Sequence, residues 1–177
     1  MVKPIIIAVG AIPAILALLI AVPLITKSEI PFSASNPDDV IELEYTKHQL
    51  KKISFGVTER LVAQKSEILL VKNDGDLRYT VTEDGITKPD KLSDLDDEIM
   101  KKLRALIKET GFISIPNESF PIIDDVDEYQ KSSLKITLNG VVNQIHWPEQ
   151  NATEKFVPPI ITMVESELDH IIEQLIE

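Results

Sequence analysis

"SLKITLNGVVNQIHW" (Ser133–Trp147) decides how this chain is read. Leu134, Ile136 and Leu138 alternate with polar residues, the period of a strand with one buried face. Asn139-Gly140 then offers the two positive-φ positions of a two-residue hairpin, the strongest short hairpin signal a sequence carries. Val141–Trp147 is the return strand, in which Ile145 and Trp147 share one face and Gln144 and His146 the other. Pro148 has no N–H for the ladder, so the strand should end there. The Trp147 indole is expected at the edge of the core with its N–H near a loop partner. An exposed Trp147 anchoring a partner is the functional alternative.

Working outward, Pro158 and Pro159 suit the first turn of a helix, and Ile161, Val164, Leu168, Ile171, Ile172 and Leu175 form its apolar stripe. The same hairpin–helix order occurs earlier. "SEILLVKN" (Ser66–Asn73) and "DLRYTVTE" (Asp76–Glu83) flank an Asp74-Gly75 turn. "SDLDDEIMKKLRALIKETG" (Ser93–Gly111) reads as a helix with Ser93 as N-cap and a stripe of Leu95, Ile99, Leu103, Leu106 and Ile107. Its acids come first, its lysines and Arg104 later, and Gly111 closes it. Two hairpins and two helices predict an α+β fold, a two-layer sandwich of four antiparallel strands with both helices on one face. Upstream, "VIELEY" (Val40–Tyr45) suits a short strand. "LKKISFGVTERLVA" (Leu50–Ala63) fits strand or helix, with a strand favoured around Ile53–Val57.

Residues 4–26 contain no charge, and residues 5–26 as a helix would span roughly 33 Å, one hydrocarbon core. Pro13 and Pro23 are tolerated by a membrane helix. The expected organisation is a transmembrane anchor over 1–26, a linker over 27–39 and an extracytoplasmic domain over 40–177. Cleavage near "FSAS" (Phe32–Ser35) is the competing fate of the anchor. The short tail before the span and the acceptor triplets at Asn117 and Asn151, both candidate glycosylation sites, favour the domain outside.

The net charge is −11, and Lys3 is the only charged residue before Lys27, so residues 27–177 carry −12. Such a surface repels phosphate backbones and argues against nucleic acid as a partner. The chain has no cysteine, which excludes disulfides, thiolate metal sites and a cysteine nucleophile. The acidic run Asp124–Glu128 invites a calcium reading, but Gln130 and Ile136 stand where an EF-hand loop needs Gly and Glu. His48, His146 and His170 form no close pair of the kind a zinc site uses. No G-x-S-x-G, P-loop or G-x-G-x-x-G occurs, so no cofactor and no catalytic residue is assigned.

Two resemblances bear on function. "ETGFISIP", "LKITLNG" and "WPEQNATEKFVPPIITMVESEL" resemble uncharacterised membrane-anchored proteins of ammonia-oxidising archaea, a likeness that spans most of 40–177. "NDGDLRY", "LRALIKETGFISIP", "DEYQKSSLKITL" and "FVPPIITMVESEL", within 66–176, are similar in pattern to the emfourin type of metalloprotease inhibitor. That family often carries a Gly-Gly pair where this chain has Gly75 alone. The first resemblance implies a cell-envelope protein held in the membrane by residues 4–26; the second implies an inhibitory module. The expectation is a single-pass membrane protein whose outer domain binds a protein partner. A protease-inhibitor-like module and an enzyme of unrecognised type are the alternatives.

Overall fold

A computed structural model of the chain describes Asn36 and residues 38–176. The chain divides into two units, Met1–Pro31 and Phe32–Glu177, and the described residues belong to the second. The expected membrane span at residues 4–26 and the linker residues 27–35 lie outside the described residues.

The architecture is α+β: one antiparallel seven-stranded sheet and two α-helices. The strands are β1 (Ile41–Phe55), β2 (Thr58–Val71), β3 (Asp76–Glu83), β4 (Ile86–Thr87), β5 (Lys91–Asp94), β6 (Glu128–Leu138) and β7 (Val141–Pro148). The helices are α1 (Asp97–Glu109) and α2 (Pro159–Ile176). The sheet order is β4-β3-β2-β1-β6-β7, with β5 pairing the outer edge of β3. Both expected hairpins are present. Val71 pairs with Leu77, and Leu138 pairs with Val141 across Asn139-Gly140, whose φ values of 51° and 81° are those of the turn inferred from the sequence.

The expected four strands are too few. β1 fills the centre of the sheet, joining the two hairpins through β2 on one side and β6 on the other. It absorbs the short strand expected at Val40–Tyr45 and runs on to Phe55, while β2 runs through Thr58–Ala63, so the ambiguous stretch Leu50–Ala63 is strand on both sides of a turn. Alternation places Ile41, Leu43 and Tyr45 of β1 on one face with Leu69, Val71, Leu77, Tyr79, Leu134, Ile136, Ile145 and Trp147, all buried. Met100, Leu103, Leu106 and Ile107 of α1 and Ile161, Val164, Leu168 and Ile171 of α2 complete the core. Each large apolar side chain so enclosed contributes about 1.5–3 kcal/mol.

The start of α1 differs from expectation. Ser93 belongs to β5, opposite Leu77, and Leu95 is outside the helix, its N–H donating to Gly75 O at 3.0 Å. The N-cap is Asp96, whose carboxylate accepts from Ile99 N at 2.8 Å. Pairing of Lys91–Asp94 with β3 satisfies those backbone groups as a strand, so the helix begins at the next residue able to cap it. Gly111, with φ 61°, follows the Thr110 C-cap as expected. The expected linker also ends early: Asp39 is buried, and its carboxylate accepts from Lys108 Nζ at 2.6 Å and Asn139 Nδ2 at 2.8 Å. Those bonds, led by the one from Lys108, hold its pKa below the usual carboxylate range.

Candidate interaction surface

The core ends in a belt of hydrogen-bonded polar groups, and beyond that belt the molecule changes character. Along β1 the inward positions run Ile41, Leu43, Tyr45 and then Lys47. α2 crosses at this level. Lys47 Nζ meets Asp169 Oδ1 at 2.8 Å, and Tyr45 Oη lies 3.2 Å from both Asp169 Oδ1 and Glu165 Oε1. Glu165 is the hub: Ser132 Oγ donates to its Oε1 at 2.9 Å and Trp147 Nε1 to its Oε2 at 3.0 Å. On the neighbouring strands the Tyr79 hydroxyl donates to Glu67. Burial first, and the adjoining carboxylates second, push the Tyr45 phenol far above its ordinary pKa, so it stays a donor at every physiological pH. Burial works against ionised Glu67, but the Tyr79 hydroxyl and the Lys65 and Lys47 ammonium groups outweigh it and hold that carboxyl below the usual range.

Trp147 is therefore a core residue, 2% exposed, its ring stacked at 15° and 6.5 Å on Tyr45. The reading of Trp147 as a partner contact is excluded by this burial, and its hydrogen-bond partner is a helix side chain rather than the expected loop. Pro148 ends β7 as inferred. His146, on the face opposite Trp147, is half-buried because residues 115–126 wrap the β7 edge and bring Phe120 and Ile122 against its side of the sheet. Asn143 Nδ2 anchors that wrap on the carbonyls of Phe112 and Ile115. Burial, and then the Lys131 charge, hold the pKa of both His146 and His48 below the ordinary imidazole value.

Past the belt, β1 and β2 continue as a two-stranded arm. β6 accompanies β1 only to Lys51 and β3 accompanies β2 only to Lys65. A bulge between Gln49 and Leu50 puts one extra residue, Gln64, into β2. Beyond it the inward-continuing face carries Lys51, Ile53 and Phe55 opposite Val62, Arg60 and Thr58. Phe55 is 60% exposed and Val57, at the tip, fully so; Leu61 and Val62 are also exposed. The arm is basic as well: residues 46–65 hold five Lys or Arg and one acid, Glu59. The rest of the chain after Thr26 therefore carries −16.

At the arm's base, α2 and the ends of β6 and β7 enclose an open cleft of about 720 Å³. Its walls hold Glu149, Glu165, Glu167, Asp169 and Glu173 with His170, and Gln130 lies at its floor beside Gln49. Glu167 and Asp169 are paired to Lys102 and Lys47, whereas Glu173 is exposed near His170. On the opposite, solvent face of the sheet a groove of about 580 Å³ runs over Leu70 between Glu44, Lys72, Arg78, Leu92 and Lys135. Its charges are interleaved and partly self-paired, as Lys72 with Asp76, so it presents no single sign.

Asn117 and Asn151 are both exposed, Asn117 in the wrapping segment and Asn151 in a 3₁₀ turn over Gln150–Ala152. Thr153 of the second triplet is buried. The acidic run Asp124–Glu128 is clamped by Lys52, whose Nζ donates to Asp124 O at 3.0 Å and approaches Asp127 Oδ1 at 3.5 Å. Among the described residues, no group of three His, Asp or Glu side chains is placed to hold a metal ion. Among them too, no helix is long and apolar enough to cross a membrane. The sequence reading missed both the Glu165 hub and the arm. A signal for the hub was present: Tyr45 and Trp147 fall inward by alternation, each brings a donor, and an acid beside the α2 stripe is the acceptor such donors need.

No protein-family model and no curated protein matches the chain.

Proposed function

We propose that this is a single-pass membrane protein whose acidic α+β domain lies outside the cytoplasm and acts by binding a protein partner rather than by turnover. The observation that carries the binding reading is the arm. Phe55, Val57 and Val62 are exposed on a projecting hairpin that contributes nothing to the core, with Leu61 exposed on its other face, and exposed apolar surface of this kind is a mark of recognition. The charge-free run over residues 4–26 supports the anchor, and the exposure of Asn117 and Asn151 suits an outer location.

The anchor is tested by washing membranes with high salt and then alkali: the full chain should stay with the lipid, and its release intact would refute the anchor. Protease added to intact cells should remove the domain; protection until lysis would place it inside. Recovery of proteins cross-linked to the full chain in native membranes should fall when Phe55 and Val57 are both changed to Ser. Equal recovery with and without those changes would refute the arm as the binding element.

A further inference from the structure

The arm and the acidic cleft form the two sides of a single step. The floor of the step is the inward-continuing face of the arm, with Lys51, Ile53, Phe55, Arg60 and Val62 and no acid among its strand residues. The riser is the outward side of α2, with Thr162, Ser166, Asp169, His170 and Glu173. The riser is one helix high, about 10 Å. Two sheets stacked face to face are also spaced by about 10 Å. A second arm laid on the floor would therefore stand flush with the helix.

We infer that the occupant of this step is the arm of a second copy, the two copies related by a two-fold axis through the stacked arms. The inference rests on the reading of the arm as a binding element and names its partner. Three features favour a copy of this chain. The arm is net basic while the remainder is strongly acidic, so each molecule carries both halves of a complementary pair. The floor is self-complementary: Ile53, Phe55 and Val62 of each copy face the same residues of the other, as an isologous contact requires. The contact also places the tip of each arm, at Val57, against the riser of the other, where Glu173 stands exposed, with Arg60 three residues back along the arm.

The test uses the full chain in detergent micelles, with the mass read by light scattering. The wild type should be a dimer that dissociates as salt rises. Lys51→Glu with Arg60→Glu reverses the arm, and Ser166→Lys with Glu173→Lys reverses the riser. Each double variant alone should dimerise at least about tenfold more weakly. Mixed in equal amounts they should form a 1:1 heterodimer, because a reversed arm then meets a reversed riser and a wild-type arm meets a wild-type riser. Trp147 emission, reporting a buried indole, shows that each variant is folded. Because the chain has no cysteine, Val57→Cys on one copy and Ser166→Cys on the other give a clean second readout: a mixed disulfide should form on oxidation. A wild type that stays monomeric, or reversed variants that fail to pair while folded, overturns the inference. A monomer that binds anionic phospholipid vesicles through the arm overturns it as well. If the protein is monomeric yet the Phe55/Val57 variant still loses cross-linked partners in membranes, the second copy is wrong and the binding reading stands. If neither changes, both fall.

Discussion

Glu165 collects the Trp147 N–H and the Ser132 hydroxyl on one carboxylate, with the Tyr45 hydroxyl in reach. Removing the acceptor should therefore cost more than removing one donor. Glu165→Ala strands the Trp147 and Ser132 donors while Tyr45 keeps Asp169, and a loss of about 2–5 kcal/mol is expected in chemical denaturation. Trp147→Phe keeps most of the ring and should cost only about 1–2 kcal/mol, against about 3–5 for Trp147→Ala. An Ala variant at Glu165 no weaker than Trp147→Phe would show that the hub does not hold. The pH dependence of stability follows from Asp39. Its folded pKa is depressed, so its contribution is full above the ordinary carboxylate value and fades as pH falls through the lower folded value. Asp39→Asn should lower stability at pH 7 and flatten the acid limb below about pH 4, read from denaturation midpoints across pH. The inward placement of Trp147 was legible in the alternation from Leu134 onward. Its partner was not, because Glu165 lies 18 residues away and sequence spacing fixes no contact between a strand and a later helix.

Hairpins and helix stripes could be read from the sequence because their signals are local: Asn139-Gly140 fixes a register within the hairpin, and Ile161 to Leu175 repeats at helical spacing. β1 could not, for a physical reason. Once the strand passes Tyr45 it leaves the cover of α2, so its inward positions become Lys47, Gln49 and Lys51, and the period of two vanishes although the strand continues. The start of α1 was obscured differently, since Ser93 and Asp96 can both cap and only the pairing of β5 with β3 selects between them. Two tests belong to this scale. Amides of residues 53–63, held by one neighbouring strand each, should exchange with deuterium far sooner than those of Leu43 and Tyr45, held on both sides. Phe55→Ser should shift stability by no more than about 0.5 kcal/mol in dilute protein; matching protection along all of β1 would contradict a free arm. The turn between β2 and β3 is fixed from outside. A Cβ on Gly75, at φ 94°, would lie 2.9 Å from Leu95 O, whereas one on Gly85 meets open space. Gly75→Ala should cost about 2–4 kcal/mol and loosen the α1 entry, against about 1–2 for Gly85→Ala, as read from thermal midpoints.

At the scale of the whole molecule the centre of the sheet is made first and completed last. Ile41 pairs with Leu138 and Lys51 with Glu128, sequence separations of 97 and 77 residues. This has a consequence in time. A ribosome adding roughly 5–20 residues each second leaves β1 without its β6 neighbour for about 5–20 s. Through that interval β2 can pair with it and β3 with β2, but one edge of the central strand stays open, flanked by half a core. The charged outward residues Glu42 and Glu44 keep that edge from recruiting another chain while it waits. Nascent chains stalled before Leu138 clears the exit tunnel should be cut readily by protease, and chains stalled after α2 clears should resist it. Resistance arising before β6 emerges would mean that the first hairpins close a core of their own. Failing that, the domain matures in one late step, and every copy spends several seconds dependent on whatever meets it at the tunnel exit.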